Sequence, residues 1–306
     1  MSQAAPSAHG FAAPKSSSLT QRSTHLMGNP WYGLVPVLGY LLLFYLIPLL
    51  YLLSLSFRVG QGSGLQFSST LTLANYGEFF ASQANWIAWA RSFGVAFAVV
   101  ILSILCAYPL AYTIAFIMPK KYQQVTLLLI IAPFWTSFVI RAFAWQLLLA
   151  DAGPINTLLQ QIGLPPFKIL YTHAATIAGL TVFGTMLITL NLYATMENIN
   201  PNLLAAAADL GARRWQGFRE VILPLSLPGM IIGATLAFII AFGDFIVPAL
   251  LGGGIRLLLA QAMVGAITTN FNIPRAATYA MIMLLSILIV TLPMLRLARR
   301  GLNEEV

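Results

Sequence analysis

Long apolar runs separated by short polar stretches set the pattern of this chain. Six of them are long enough, at about 20 residues, to cross the hydrocarbon core of a bilayer as helices. They fall near 33–57, 91–118, 123–149, 173–196, 226–250 and 277–297. Trp31 and Tyr32 precede the first run, as aromatic residues do at a membrane interface. Pro109, Pro133, Pro248 and Pro293 lie inside or at the ends of these runs and predict kinks, tolerated where neighbouring helices satisfy the freed backbone. Residues 58–88 read as an exterior loop with a short surface helix around Tyr76 to Phe80. Gly163-Leu164-Pro165-Pro166 and Gly252-Gly253-Gly254 mark two further loops. Residues 1–28, rich in Ser, Ala and Pro, read as a disordered tail. The membrane domain then spans 29–298, with a short C-terminal tail at 299–306.

Composition narrows the class. Of the 306 residues, 59% are hydrophobic and only 8% charged, against about a quarter charged in a soluble domain. The formal charge of +8 is therefore no nucleic-acid footprint, and its meaning lies in where the basic residues fall. With the N-terminus inside, Lys15, Arg22, Lys120, Lys121, Arg213, Arg214, Arg219, Arg296, Arg299 and Arg300 face the cytoplasm. Only Arg58, Arg91, Lys168, Arg256 and Arg275 are left to the outer side, so the positive-inside rule favours N-in and C-in. The single cysteine, Cys106, lies in an apolar run and reads as a core residue. No Gly-Lys pair, H-E-x-x-H, C-x-x-C or G-x-S-x-G occurs, so phosphate-cradling, zinc and nucleophile-elbow chemistry are not expected.

The stretch from Pro201 to Gly229 interrupts the apolar pattern and predicts two short helices on the cytoplasmic side. Asn200 caps the first, and Leu203, Leu204, Ala207 and Leu210 give it an apolar face. Gly211 ends it in a left-handed turn. The second, from about Arg213, is expected to carry Trp215, Phe218, Val221 and Ile222 inward and to close at Pro224 and Pro228. Ala206, Ala207, Asp209, Leu210, Gly211, Ala212, Phe218, Ile222, Leu223 and Pro224 make this run resemble the EAA loop (197–225 here) of ABC-importer permeases. Ala205 stands where that pattern has glutamate.

Three more stretches sharpen the resemblance to the spermidine/putrescine-type permeases. Pro133, Trp135, Ser137, Arg141 and Trp145 match one motif, and Gly153, Ile155 and Asn156 a second. Gly243, Asp244, Phe245, Pro248, Leu250, Gly252 and Gly253 match a third, while Arg275 replaces the usual glycine before Ala276. The resemblance implies an all-α integral membrane protein of the type I ABC-importer permease kind, with six transmembrane helices and a cytoplasmic coupling-helix loop. It implies a non-catalytic subunit of the bacterial inner membrane, with no cofactor of its own. ATP with Mg would be bound by two partner ABC ATPase subunits. A second, homologous permease would complete a heterodimer, and a periplasmic solute-binding protein would deliver the cargo. Polyamines are the solute class implied, with an opine, iron chelate, phosphonate or other amine as the alternative. A secondary transporter is disfavoured, because Asp244 is essentially the lone intramembrane carboxylate.

Candidate path residues are Trp135, Arg141, Asp244, Phe242 and Phe245. Asp244 could attract an ammonium group and the aromatic rings could offer cation–π faces. Alternatively, Arg141 and Asp244 neutralise each other or cap kinked backbone.

Overall fold

The computed structural model describes residues 31–60, 68, 70–200, 202–254 and 257–303; the predicted tail at 1–28 lies outside them. Every regular element among the described residues is helical. The chain divides into two compact units, 1–51 and 52–306. From the first, α1 (Trp31–Leu41) passes through a π turn, Leu42–Leu46, into α2 (Ile47–Ser56), within which the boundary falls. None of the most apolar stretch of Leu34–Ser56 is buried, and Leu43, Phe44 and Tyr45 all point outward. A helix apolar on every side is suited to lipid.

In the second unit, α3 (Ala74–Ala81) is the expected surface helix. The core is built by α4 (Gln83–Tyr112), α8 (His173–Met196), α11 (Leu223–Gly243) and α14 (Ile273–Asn303). Outward-facing Leu105, Leu129 and Ile289 are each more than half exposed, an apolar surface that lipid solvates and water would not. Inside, small residues let helices approach, since lipid gives no hydrophobic gain for helix association. A Cβ at Gly233 on α11 would stand 2.8 Å from Ile188 Cα on α8. Hydroxyls then join the helices: Ser103 Oγ donates to Thr181 O (3.1 Å), and Tyr108 and Ser226 share a hydrogen bond of 2.7 Å. Six segments among the described residues are long and apolar enough to span a membrane.

Three span boundaries differ from the sequence reading. The second begins earlier, at Gln83. The third is no continuous helix over 123–149: α5 (Lys120–Ile131) gives way to a 3₁₀ turn at Ala132–Trp135 and then α6 (Phe138–Leu149). Pro133 cannot donate to the α-helical ladder and breaks it there. With α7 (Pro154–Gln161), α6 makes the long apolar stretch Phe138–Gln161. The fifth does not reach Leu250, because the helix stops at Gly243 and restarts as α12 (Ile246–Leu251). The region expected to be a loop before the last span holds α13 (Leu259–Thr268), which packs on α14 and α4. The Leu259 N–H at its start donates to Ser92 Oγ of α4 at 2.8 Å. The final helix runs through the predicted tail boundary to Asn303.

Pro48 and Pro224 are absorbed without stopping their helices, whereas the helix before Pro119 ends there. Each of three π turns ends two residues before a proline: Leu42–Leu46 before Pro48, Thr113–Ile117 before Pro119, Phe218–Ile222 before Pro224. In each, the residue preceding proline donates its N–H five residues back, as Leu223 does to Phe218 O. The widened turn relieves the crowding a proline ring imposes on the turn before it.

Candidate functional site

Polar chain between α8 and α11 folds into two short helices. Asn200 Oδ1 accepts from the Asn202 N–H (3.0 Å), and α9 follows over Asn202–Asp209. Its end is a paired turn: Ala212 N–H donates to Ala207 O at 3.0 Å and Gly211 N–H to Ala208 O at 2.9 Å. Gly211 has φ +86°, a conformation costly for any residue with a Cβ. Next comes α10 (Arg214–Gly217), where the Arg213 N–H donates to Gln216 Oε1 at 2.7 Å.

The inner face of this pair is narrower than the apolar pattern implied. Leu204 packs toward Gly217, Phe218 meets Tyr108 and Tyr112 edge-on, and Ile222 is buried. Ala207 and Ala212 are half-buried, while Ala205, Ala206 and Asp209 are exposed. Two residues expected inward point out instead: Leu210 is 90% exposed and Trp215 66%. Leu210 sits in the turn with Gly211, past the end of α9, and the Trp215 ring is stacked on Phe218 with centroids 5.3 Å apart. The expected stop at Pro224 is also absent. Arg214–Gly243 forms one long helical segment through the π turn, so α10 and the fifth span are one continuous helix, with α9 set off by the turn at Gly211.

The candidate path residues separate into distinct environments. Phe242 is 1% exposed and packs against Phe93 (4.8 Å) and Phe238 (5.6 Å), so it is a core ring, not a surface one. Asp244 sits at the break between α11 and α12 and caps the latter. Its Oδ1 accepts from the Ile246 N–H (3.1 Å) and its Oδ2 from the Val247 N–H (2.9 Å). Arg141 does not pair with it. The guanidinium lies 5.0 Å from the Phe183 ring and 5.5 Å from the Phe138 ring, and its Nε is buried with no partner among the described residues. Beside it is a cavity of about 30 Å³ between α6, α8 and α12, large enough for a water. Trp135 is 74% exposed at the end of the 3₁₀ turn, and Phe245 is 40% exposed.

The second motif is a clamp. Asn156, 1% exposed, donates to Ala150 O (3.1 Å) and accepts from the Phe167 N–H (2.6 Å), tying together the chain on both sides of α7. One polar feature escaped the sequence reading. Asn191 and Thr195 on α8 and Asn198 in the turn just after it fall at i, i+4 and i+7, and Asn198 Nδ2 still donates back to Ala194 O, so the three share a face.

Comparison with known proteins agrees with this architecture. Residues 107–301 match the family described as "Binding-protein-dependent transport system inner membrane component". The spermidine/putrescine transport system permease protein PotB of Haemophilus influenzae is 34% identical over 257 residues, 83% of this chain and 89% of that protein. The inner membrane ABC transporter permease protein YdcU of Escherichia coli is 33% identical over 289 residues, 88% of this chain and 91% of that protein. Among solved structures, a bacterial ABC transporter involved in alginate import superposes with a TM-score of 0.70 at 17% identity, covering 89% of this chain and 95% of its own. A subunit of the MetNI methionine ABC transporter gives 0.52 at 18% identity, covering 72% and 99%. These two likenesses concern the fold. Six apolar spans, the loop between the fourth and fifth, and a family match over most of the chain converge: this protein belongs to the binding-protein-dependent inner membrane transport components, as a permease subunit of an ABC importer.

Proposed function

We propose that this permease moves polyamines, putrescine or spermidine, inward across the bacterial inner membrane, driven by ATP hydrolysis in separate subunits. The cargo class rests on the relatives named as spermidine/putrescine permeases, which match at 31–34% identity over three quarters or more of this chain. The observation that carries the mechanism is the outward display of Leu210 and Trp215, the latter on α10, which is continuous with the fifth span. Large apolar side chains outside the lipid-crossing helices favour burial in a partner, and a central Trp is a frequent anchor of such contacts.

In this reading α9 and α10 dock on one of two ATPase subunits, which bind ATP and Mg. Ala206, Ala207, Asp209, Leu210, Gly211 and Ala212 form the contact and its turn, while Phe218 and Pro224 join it to the fifth span. Ala205 takes the place of a charged contact with a small apolar one. A tilt of the loop rotates α11 as a rigid body against α8, where Gly233 keeps the two backbones close. A second, homologous permease completes the path, and a periplasmic binding protein supplies cargo and most of the selectivity. N- and C-termini lie in the cytoplasm, which puts the basic loop at Arg213, Arg214 and Arg219 on the ATPase side.

Trp135 and Phe245, exposed aromatic faces, are suited to ammonium groups in transit. Asp244 contributes through the break it caps. The test is uptake of radiolabelled putrescine and spermidine in cells from which this chain is deleted and then restored, with no rival polyamine system present. Uptake should vanish and return; polyamine uptake indifferent to the chain would send the cargo assignment to another solute.

A further inference from the structure

A recess of about 580 Å³ opens between the end of α8, the start of α11 and the beginning of α9. That volume lies in the range of small-molecule sites. Three polar side chains line it, Asn191 and Thr195 of α8 and Asn198 in the turn that follows, and no described lining residue carries a charge. Their hydrogen bonds fix how they face it. Asn191 Nδ2 donates to Leu187 O (2.9 Å), Asn198 Nδ2 to Ala194 O (2.7 Å), and Thr195 Oγ1 to Asn191 O (3.0 Å). Each group thus turns its donor toward its own helix. The amide oxygens of Asn191 and Asn198 accept no hydrogen bond among the described residues.

The result is a column of neutral oxygen acceptors roughly 10 Å long on one helix face. It stands at the C-terminal end of α8, where the helix dipole favours positive charge. Intramembrane polar groups that open on a cavity, rather than pairing inside the bundle, commonly mark a solute pathway. The length suits the separation of amino groups in a short linear polyamine. Neutral acceptors hold an ammonium group without the deep trap a carboxylate would make, as an exit site requires.

We propose that this recess is a weak, transient site for alkylammonium groups at the cytoplasmic exit of the path. The proposal rests on the polyamine reading above. One wall of the recess is the coupling segment itself, through Asn200 just before α9 and Leu203 on it. Movement of α9 therefore reshapes the site, which links release of the cargo to the state of the ATPase.

The test uses the complete transporter, with its binding protein, in vesicles of phosphatidylcholine and phosphatidylglycerol. These lipids carry no primary ammonium group, so a phosphatidylethanolamine headgroup cannot be the occupant detected. Asn191→Leu with Asn198→Leu removes both oxygens at similar volume. Spermidine import at saturating cargo should fall about tenfold, the equivalent of one or two charge-assisted hydrogen bonds. Asn191→Gln with Asn198→Gln keeps neutral amide acceptors and should restore import above the Leu variant. A second readout locates the cargo. In a Cys106→Ala background, Asn198→Cys should react with a cationic thiol reagent, and spermidine in transit should slow that reaction. Leu variants importing at the wild-type rate, or a thiol that spermidine leaves unprotected, would overturn the site while wild-type spermidine import keeps the cargo reading. Failure of the wild-type complex to import either amine would sink both.

Discussion

Gly211 offers the sharpest perturbation of the coupling loop. Its φ of +86° is held by two hydrogen bonds, from Ala212 N–H to Ala207 O and from its own N–H to Ala208 O. A Cβ built there meets nothing within 4 Å, so the cost of a substitution is backbone strain alone, with no clash against a neighbour. For an L residue in this region that strain is about 1–2 kcal/mol, and a β-branched side chain lies at the upper end. Gly211→Val should therefore reduce the population of the native turn by a factor of roughly 5–30. Leu210, at the turn itself, would then lose its fixed outward position. Membrane insertion should persist, because Gly211 is exposed and outside the bundle core. The assay is cargo-stimulated ATPase activity and import in proteoliposomes, with import expected to fall about tenfold as the turn is depopulated. Gly211→Asn is the control, since asparagine tolerates the left-handed region, and it should retain most transport. Normal import by Gly211→Val, or equal losses for the Val and Asn variants, would refute the claim that the turn's conformation is what matters.

Other predictions follow from the same geometry. Asp244→Ala removes both acceptors at the start of α12 and should destabilise the detergent-solubilised protein by about 1–2 kcal/mol, read as a lower Tm. Asp244→Asn keeps an acceptor and should retain uptake; abolished uptake with an unchanged Tm would make the carboxylate a path residue instead. Gly233→Val drives a Cβ against Ile188 and should cost about 1–3 kcal/mol, measured by thermal unfolding in detergent. Asn156→Ala strands the Phe167 N–H and should cost about 1–3 kcal/mol, seen as faster proteolysis between residues 150 and 167. Unchanged cleavage would show that the clamp is dispensable.

How much of this was legible in the sequence follows from the range of the forces involved. Six crossings could be read because lipid demands about 20 apolar residues in a row, a signal local to each run. The turn at Gly211 was legible for the same reason, its chemistry being contained in five consecutive residues. By contrast, α13 is only ten residues long, and its start is held by Ser92, a partner distant in the chain. The break at Asp244 was hidden inside an apolar run whose composition continues unchanged into α12. Pro224 misled because a proline's usual effect was overridden by the π turn just before it. Trp215, expected inward, is exposed, while Phe242, a candidate for the path, is packed in the core. For large aromatic residues next to lipid or a partner, hydrophobicity does not say which solvent they face. The acceptor stripe at the end of α8 needed the recess beside it before its spacing carried meaning.

The most direct measurement is spermidine import into proteoliposomes holding this chain, its permease partner, the ATPase and the binding protein. The account predicts import that requires ATP inside the vesicle and every subunit, and that persists when proton and sodium gradients are collapsed. Import that needs no ATP and follows an ion gradient would contradict it.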